Sequence, residues 1–160
     1  MRYLTTSELV YINGKLLNNA KILRGTQEIR DFALLDAAVA RPAASAFGED
    51  AYPTLPEKVA ALVHSITLNH PFTDGNKRTA VVAAIFMLEV NGQRVNWQAD
   101  NALNVIVAVA EGRLSHQELA EWLPLTPGTE SPEPNADRDM EQIARIIDAH
   151  KELLDELAKR

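Results

Sequence analysis

HPFTDGNKRTA, residues 70–80, places an imidazole, a carboxylate, a glycine, a carboxamide and two adjacent cations within one short stretch. A loop that only reverses the chain has little use for so many distinct groups. Pro71 is set to end a preceding helix, because the residue before a proline avoids the α region. Gly75 admits a tight turn and a close backbone approach. A helix that starts there points the amides of Gly75, Asn76, Lys77 and Arg78 outward, and such amides make an anion cradle. Lys77 and Arg78 in the first turn work against helix stability, since the dipole there favours negative charge. An anion held by them accounts for both, and phosphate fits best.

The remaining side chains suit phosphate chemistry. Asp74 can hold a magnesium ion, which takes few carboxylates together with phosphate oxygens. Asn76 can fix the loop or meet a phosphate oxygen. His70 can take a proton from an attacking hydroxyl. Phe72 is expected to point inward and anchor the loop. Each residue alone also has a structural use: Asp74 as an N-cap, Gly75 as a turn residue, Arg78 as a solvated charge. A Walker loop is excluded, because it needs G-x-x-x-x-G-K-[ST] and Asn76 follows Gly75 here. A zinc site needs more ligands than His64 and His70, which do not share a helix face. His64, His116 and His150 read as surface or packing histidines.

The elements that must position this loop are helical. Val59, Leu62, Val63 and Ile66 recur at helical spacing before it, over 56–69, and Val81, Ala84, Ile85 and Leu88 after it, over 76–91. Thr5 to Glu8, Thr54 to Glu57 and Ser115 to Glu118 each match the S/T-x-x-E capping box. Asp31 is set to cap a helix through DFALLDAAVA that stops before Pro42. Asp100 is set to open another through NALNVIVAVAEG, closed near Gly112. Arg94 to Trp97 reads as one short extended piece, and alternating strands are otherwise almost absent. The fold class is all-α.

Composition narrows the function further. The 160 residues are 46% apolar and 24% charged, the balance of one soluble globular domain. The absence of cysteine excludes disulfides and thiolate metal sites and suits a reducing cytoplasm. The start of the chain has no signal-peptide pattern, and no apolar run nears the ~20 residues that span a bilayer. Residues 1–123 carry 13 acidic and 11 basic side chains, and 124–160 carry 9 and 5, which together give the net charge of −6. Neither part has the basic face of a nucleic-acid binder, so direct DNA binding is not expected.

PLTPGTESPEPNA, 124–136, holds four prolines and reads as a linker without regular hydrogen bonding. Beyond it, residues 137–160 read as one amphipathic helix. Its seam runs through Met140, Ile143, Ile147, His150, Leu154 and Leu157, widened by Ile146 and Leu153. Such a seam requires a partner surface: the domain itself, a second copy of the chain, or another protein.

The loop resembles the signature of the Fic/Doc superfamily, H-x-F-x-[DE]-G-N-G-R-x-x-R, and is most similar to its Doc branch, where N-K-R-T-A follows the acidic residue. IRDFALLDAAVARP, 29–42, and YLTTSELVYIN, 3–13, resemble the same branch, so that the likeness covers residues 1–123. Lys77 replaces the second glycine of the signature, and Val81 stands where its second arginine would be. Both departures are Doc-like.

The resemblance implies a Fic-type helical bundle with an additional C-terminal helix. It further implies a toxin of a toxin–antitoxin pair that moves the γ-phosphoryl group of ATP onto a threonine of elongation factor Tu. Carried over by position, His70 is the base, Asp74 the magnesium ligand, and Gly75, Asn76, Lys77 and Arg78 the phosphate-binding residues, with Phe72 structural. The implied partners are a Phd-like antitoxin and the translation factor. The self-inhibiting [ST]-x-x-x-E-[GN] helix of other Fic proteins is absent, so restraint is expected from a separate protein. Nucleotidyl transfer from the same loop, or a non-catalytic binding member, are the alternatives. The tail 124–160 lies outside the resemblance.

Overall fold

Three hydroxyl residues start three of the helices. The computed structural model describes residues 1–18 and 29–160, and the part of the expected 1–123 domain between them lies outside the described residues. Thr5 caps α1 (Thr6–Leu16): its hydroxyl accepts the Glu8 N–H, and the Glu8 carboxylate accepts the Thr5 N–H at 2.8 Å. Ser115 and Glu118 make the same reciprocal box at α6 (His116–Trp122). At α3 (Leu55–Asn69), Thr54 accepts the Glu57 N–H, but the Glu57 carboxylate takes the Thr54 hydroxyl, and no return bond to the cap backbone forms.

Asp31 caps α2 (Phe32–Ala40) by accepting the Leu34 N–H at 3.0 Å, and a 3-10 turn (Arg41–Ala43) follows at Pro42. For α5 (Ala99–Ala110) the expected start is corrected. Gln98 is the N-cap, and Asp100 lies inside the first turn, where its charge complements the helix dipole.

The α4 helix (Asn76–Val90) runs through the middle of the bundle, packed by α1, α3, α5 and α7, and is buried almost all round. α3 packs on it, and Val59, Leu62, Val63 and Ile66 of α3 are all buried in the core. A buried central helix with two cations in its first turn can only begin at the surface, and that surface is the loop of 70–75.

Two small antiparallel sheets complete the described residues. One pairs β1 (Ser45–Ala46) with β2 (Glu49–Asp50); the other pairs β3 (Gln93–Val95) with β4 (Leu125–Pro127), Arg94 opposite Thr126. The second sheet corrects the reading of 124–136 as free of regular structure. Its start is a strand, and Gly128 and Ser131 donate onward to the carbonyls of Gly92 and Val90. Proline lacks only a donor, so an edge strand tolerates Pro127.

The expected single helix over 137–160 is likewise corrected. It forms α7 (Ala136–Ala149) and α8 (Lys151–Leu157), broken at His150. The His150 ring packs edge-on against Trp97, itself stacked on Trp122 at 5.9 Å. The break lets α7 lie on α4 and α8 on α5. Ile143, Ile146, Leu153, Leu154 and Leu157 are buried there, whereas Met140 faces away from the core, 40% exposed. The apolar seam finds its partner on the bundle of its own chain. Arg2 staples the arrangement: its buried guanidinium reaches Asp139 of α7 at 2.6 Å, Glu8 at 3.0 Å and the Ser131 carbonyl at 3.0 Å.

Candidate active site

His70 ends α3 in the left-handed conformation, φ 49° and ψ 61°. The residue before a proline is usually pushed to extended backbone. Here the chain leaves the helix through the left-handed region, which for a non-glycine residue is held only when its surroundings enforce it. Arg30 supplies the enforcement. Its Nε donates to the His70 carbonyl at 2.6 Å and a terminal nitrogen donates to the Asn69 carbonyl at 2.7 Å. The backbone amides of Arg30 and Asp31 both donate to the Pro71 carbonyl, and Ile29 forms an antiparallel bridge with Phe72. The strap 29–31 thus fixes the loop's backbone and leaves the His70 side chain exposed.

Phe72 is buried, 1% exposed, and pulls the middle of the loop into the core. Asn76, 8% exposed, spends its side chain on Phe72: the amide oxygen accepts the Phe72 N–H and the amide nitrogen donates to the Phe72 carbonyl, both at 3.0 Å. Of its two sequence-level roles, this geometry is that of fixing the loop. Gly75 lies at φ 74°, and a Cβ there would come within 3.2 Å of Leu17 and 3.4 Å of Asn13. Asn13 of α1, 2% exposed, donates to the Asp74 carbonyl at 2.9 Å and to the Thr79 hydroxyl at 3.1 Å. The loop is therefore clamped from α1 on one side and from the strap on the other.

Asp74, its side chain 75% exposed, accepts the Gly75 N–H at 2.7 Å with one oxygen, and its other oxygen lies 3.8 Å from Arg78. The structure offers a magnesium ion one accessible carboxylate here, and no cluster of three or more metal-binding side chains exists among the described residues. That suits an ion ligated mainly by phosphate and water. Lys77 and Arg78 flank the first turn of α4, where the amides of Asn76, Lys77 and Arg78 have no preceding helical carbonyl to bond. His70, Thr73, Asp74, Lys77 and Arg78 line one open cleft of about 180 Å³. Val81, by contrast, is fully buried in α4 and brings no charge to it.

Arg30, Asn13 and the end of α8 are the participants that sequence reasoning passed over. Asn13 carries a signal, a polar residue one position after buried Ile12 on the inward face of α1. Arg30 carries none, because its partners are identified only by the fold.

The central helix of the bundle thus opens on a cleft that gathers an imidazole, a carboxylate and two adjacent cations. The chain belongs to the Fic/DOC family, whose sequence model matches residues 3–88. A curated relative, toxin Doc of Mycolicibacterium smegmatis (strain ATCC 700084 / mc(2)155), is 48% identical over 88 residues, which cover 54% of this chain and 68% of the relative. Among the described residues, no helix is long and apolar enough to cross a membrane.

Proposed function

We propose that this chain is the toxin of a toxin–antitoxin pair and an enzyme that transfers the γ-phosphoryl group of ATP to a threonine hydroxyl of a translation factor such as elongation factor Tu. The carrying observation is that His70, at the end of α3, and Lys77 and Arg78, at the start of α4, line one cleft. Likeness to toxin Doc supports the toxin reading and an antitoxin partner, for which a Phd-like protein is our choice.

In this reading the threonine oxygen attacks the γ-phosphorus, its proton passes to the His70 imidazole, and ADP leaves. Lys77, Arg78 and the α4 amides hold the phosphate oxygens. Phosphoryl transfer needs such positioning and charge stabilisation more than covalent help from the protein. A magnesium ion at Asp74, when bound, would neutralise phosphate charge. The burial of Val81 supports the choice of the γ-phosphate: the second arginine that steadies the outer phosphates in Fic-type nucleotidyl transfer has no counterpart at this position.

Induced expression tests the reading. Wild-type protein should arrest growth, and His70→Ala should not, at equal soluble level and unchanged melting temperature. Losing a positioned base costs about 10²–10⁴ in rate. Full arrest by His70→Ala would remove the catalytic role.

A further inference from the structure

The cleft has a second wall. Opposite the loop stand Leu157, Ala158 and Arg160, at the end of α8. The Lys77 ammonium donates to the Arg160 carbonyl at 3.3 Å, across 83 residues of sequence. This segment lies outside residues 3–88, the part of the chain that the family model matches.

The contact is electrostatically apt. A helix C-terminus carries partial negative charge on carbonyls left without helical partners, and a helix N-terminus bearing cations attracts it as it attracts a phosphate. The position of the Arg160 carbonyl is set by a short ladder: Ala158 N–H to Leu154 carbonyl at 3.0 Å, Lys159 N–H to Glu156 carbonyl at 3.2 Å, and Arg160 N–H to Leu157 carbonyl at 3.2 Å. Buried Leu153, Leu154 and Leu157 anchor that ladder to the bundle. The last residues are thus delivered to the cleft by packing. Size points the same way: the cleft of about 180 Å³ falls below the ~300–1,000 Å³ of pockets that enclose a drug-sized ligand.

We propose that residues 158–160 restrain the site in cis, the Arg160 carbonyl occupying Lys77 in place of a phosphate oxygen, so that a nucleotide must displace the segment to bind. The inference rests on Lys77 being a phosphate ligand. It also means that restraint need not come from a separate protein alone. The Lys77–Arg160 bond is solvent-exposed, and exposed charged contacts are weak enough for a multiply charged ligand to displace.

Lys159→Pro tests it. Proline removes the Lys159 N–H and drives Ala158 from its present φ −64°, ψ −20°, since a residue before proline avoids that region. The Arg160 carbonyl then leaves Lys77, while the buried leucines stay. Calorimetric titration with magnesium–ATP should show binding about three- to tenfold tighter than wild type, the range for a segment seated in about 70–90% of molecules. In the wild-type chain, saturating magnesium–ATP should speed amide exchange of residues 158–160, a readout that does not depend on the variant folding. Equal affinities of the two folded proteins, or exchange at 158–160 that ATP leaves unchanged, overturn the cis restraint while leaving ATP binding intact. Absence of ATP binding in both proteins overturns the restraint and the phosphate-site reading together.

Discussion

Asn76 holds Phe72 by both faces of its backbone, accepting its N–H and donating to its carbonyl at 3.0 Å each. A residue in the first helical turn thereby sets the shape of the loop that precedes it. Asn76→Ala should lower stability by about 1–3 kcal/mol, the cost of buried backbone groups left without partners. Activity should fall with it. Urea denaturation measures the first and toxicity the second. A variant of unaltered stability that loses only ATP affinity would make the Asn76 side chain a phosphate ligand instead.

Arg30 is a positioning residue for His70, because it bonds the carbonyls of Asn69 and His70 and never the imidazole. Arg30→Ala should reduce kcat by about 10–100-fold, the scale of a small misplacement of a reacting group. KM for ATP should change little, since Lys77 and Arg78 are untouched. Lys offers no fork for two carbonyls, so Arg30→Lys should rescue only part of the loss. An increase confined to KM would place Arg30 on the nucleotide.

The helices are legible in the sequence because caps and apolar periodicity are local signals. Thr5, Asp31 and Ser115 each read out a helix start from residues no more than three positions away. Asn13 and Arg30 act over 61 and 40 residues of chain, and one sequence holds no record of such distances. The prolines of 124–136 suggest a free linker, yet a strand that contributes carbonyls at a sheet edge is compatible with them. His150 fits the heptad seam of the tail in pattern; contact with Trp97 turns that position into a break. That the residues of 70–78 gather at one cleft follows from their closeness in sequence, whereas the use of the Asn76 side chain as a clamp on Phe72 needs the geometry.

Arg2 and Asp139 join the N-terminus to α7 through a buried pair at 2.6 Å. Burial pushes the Asp139 carboxyl up, but hydrogen bonds from Arg2 and the Asn135 amide outweigh it and hold the group below its ordinary value. A carboxyl depressed by folding contributes stability above its unfolded pKa and loses it as pH falls through the folded value. Arg2→Met should cost about 3–5 kcal/mol, the loss expected when one partner of a buried pair is removed. Asp139→Asn should flatten the acid limb of the stability curve. An acid limb identical to wild type would contradict the assignment.

His64 and His116 pack edge to face at 5.3 Å beneath Arg41, whose guanidinium lies 2.8 Å from His64 Nδ1. Burial first, and the Arg41 charge second, push both imidazoles below their ordinary value. Unfolded chains then bind more protons, so stability is complete above pH ~6.5 and falls as pH drops through the folded values. The melting temperature should decline below that pH, and His64→Gln should remove part of the decline. A melting temperature flat from neutrality down to pH ~5 would mean that the pair is protonated in the fold at no cost.

Whether the loop of 70–78 moves a γ-phosphoryl group is decided by the source of the label. Purified protein is incubated with elongation factor Tu, magnesium and ATP labelled either on the γ- or on the α-phosphorus. Label should come from the γ-position alone, with a mass gain of about 80 on one threonine, ADP as the other product, and no transfer by His70→Ala. Label from the α-position with release of pyrophosphate would contradict it, and the same loop would then be a nucleotidyl transferase.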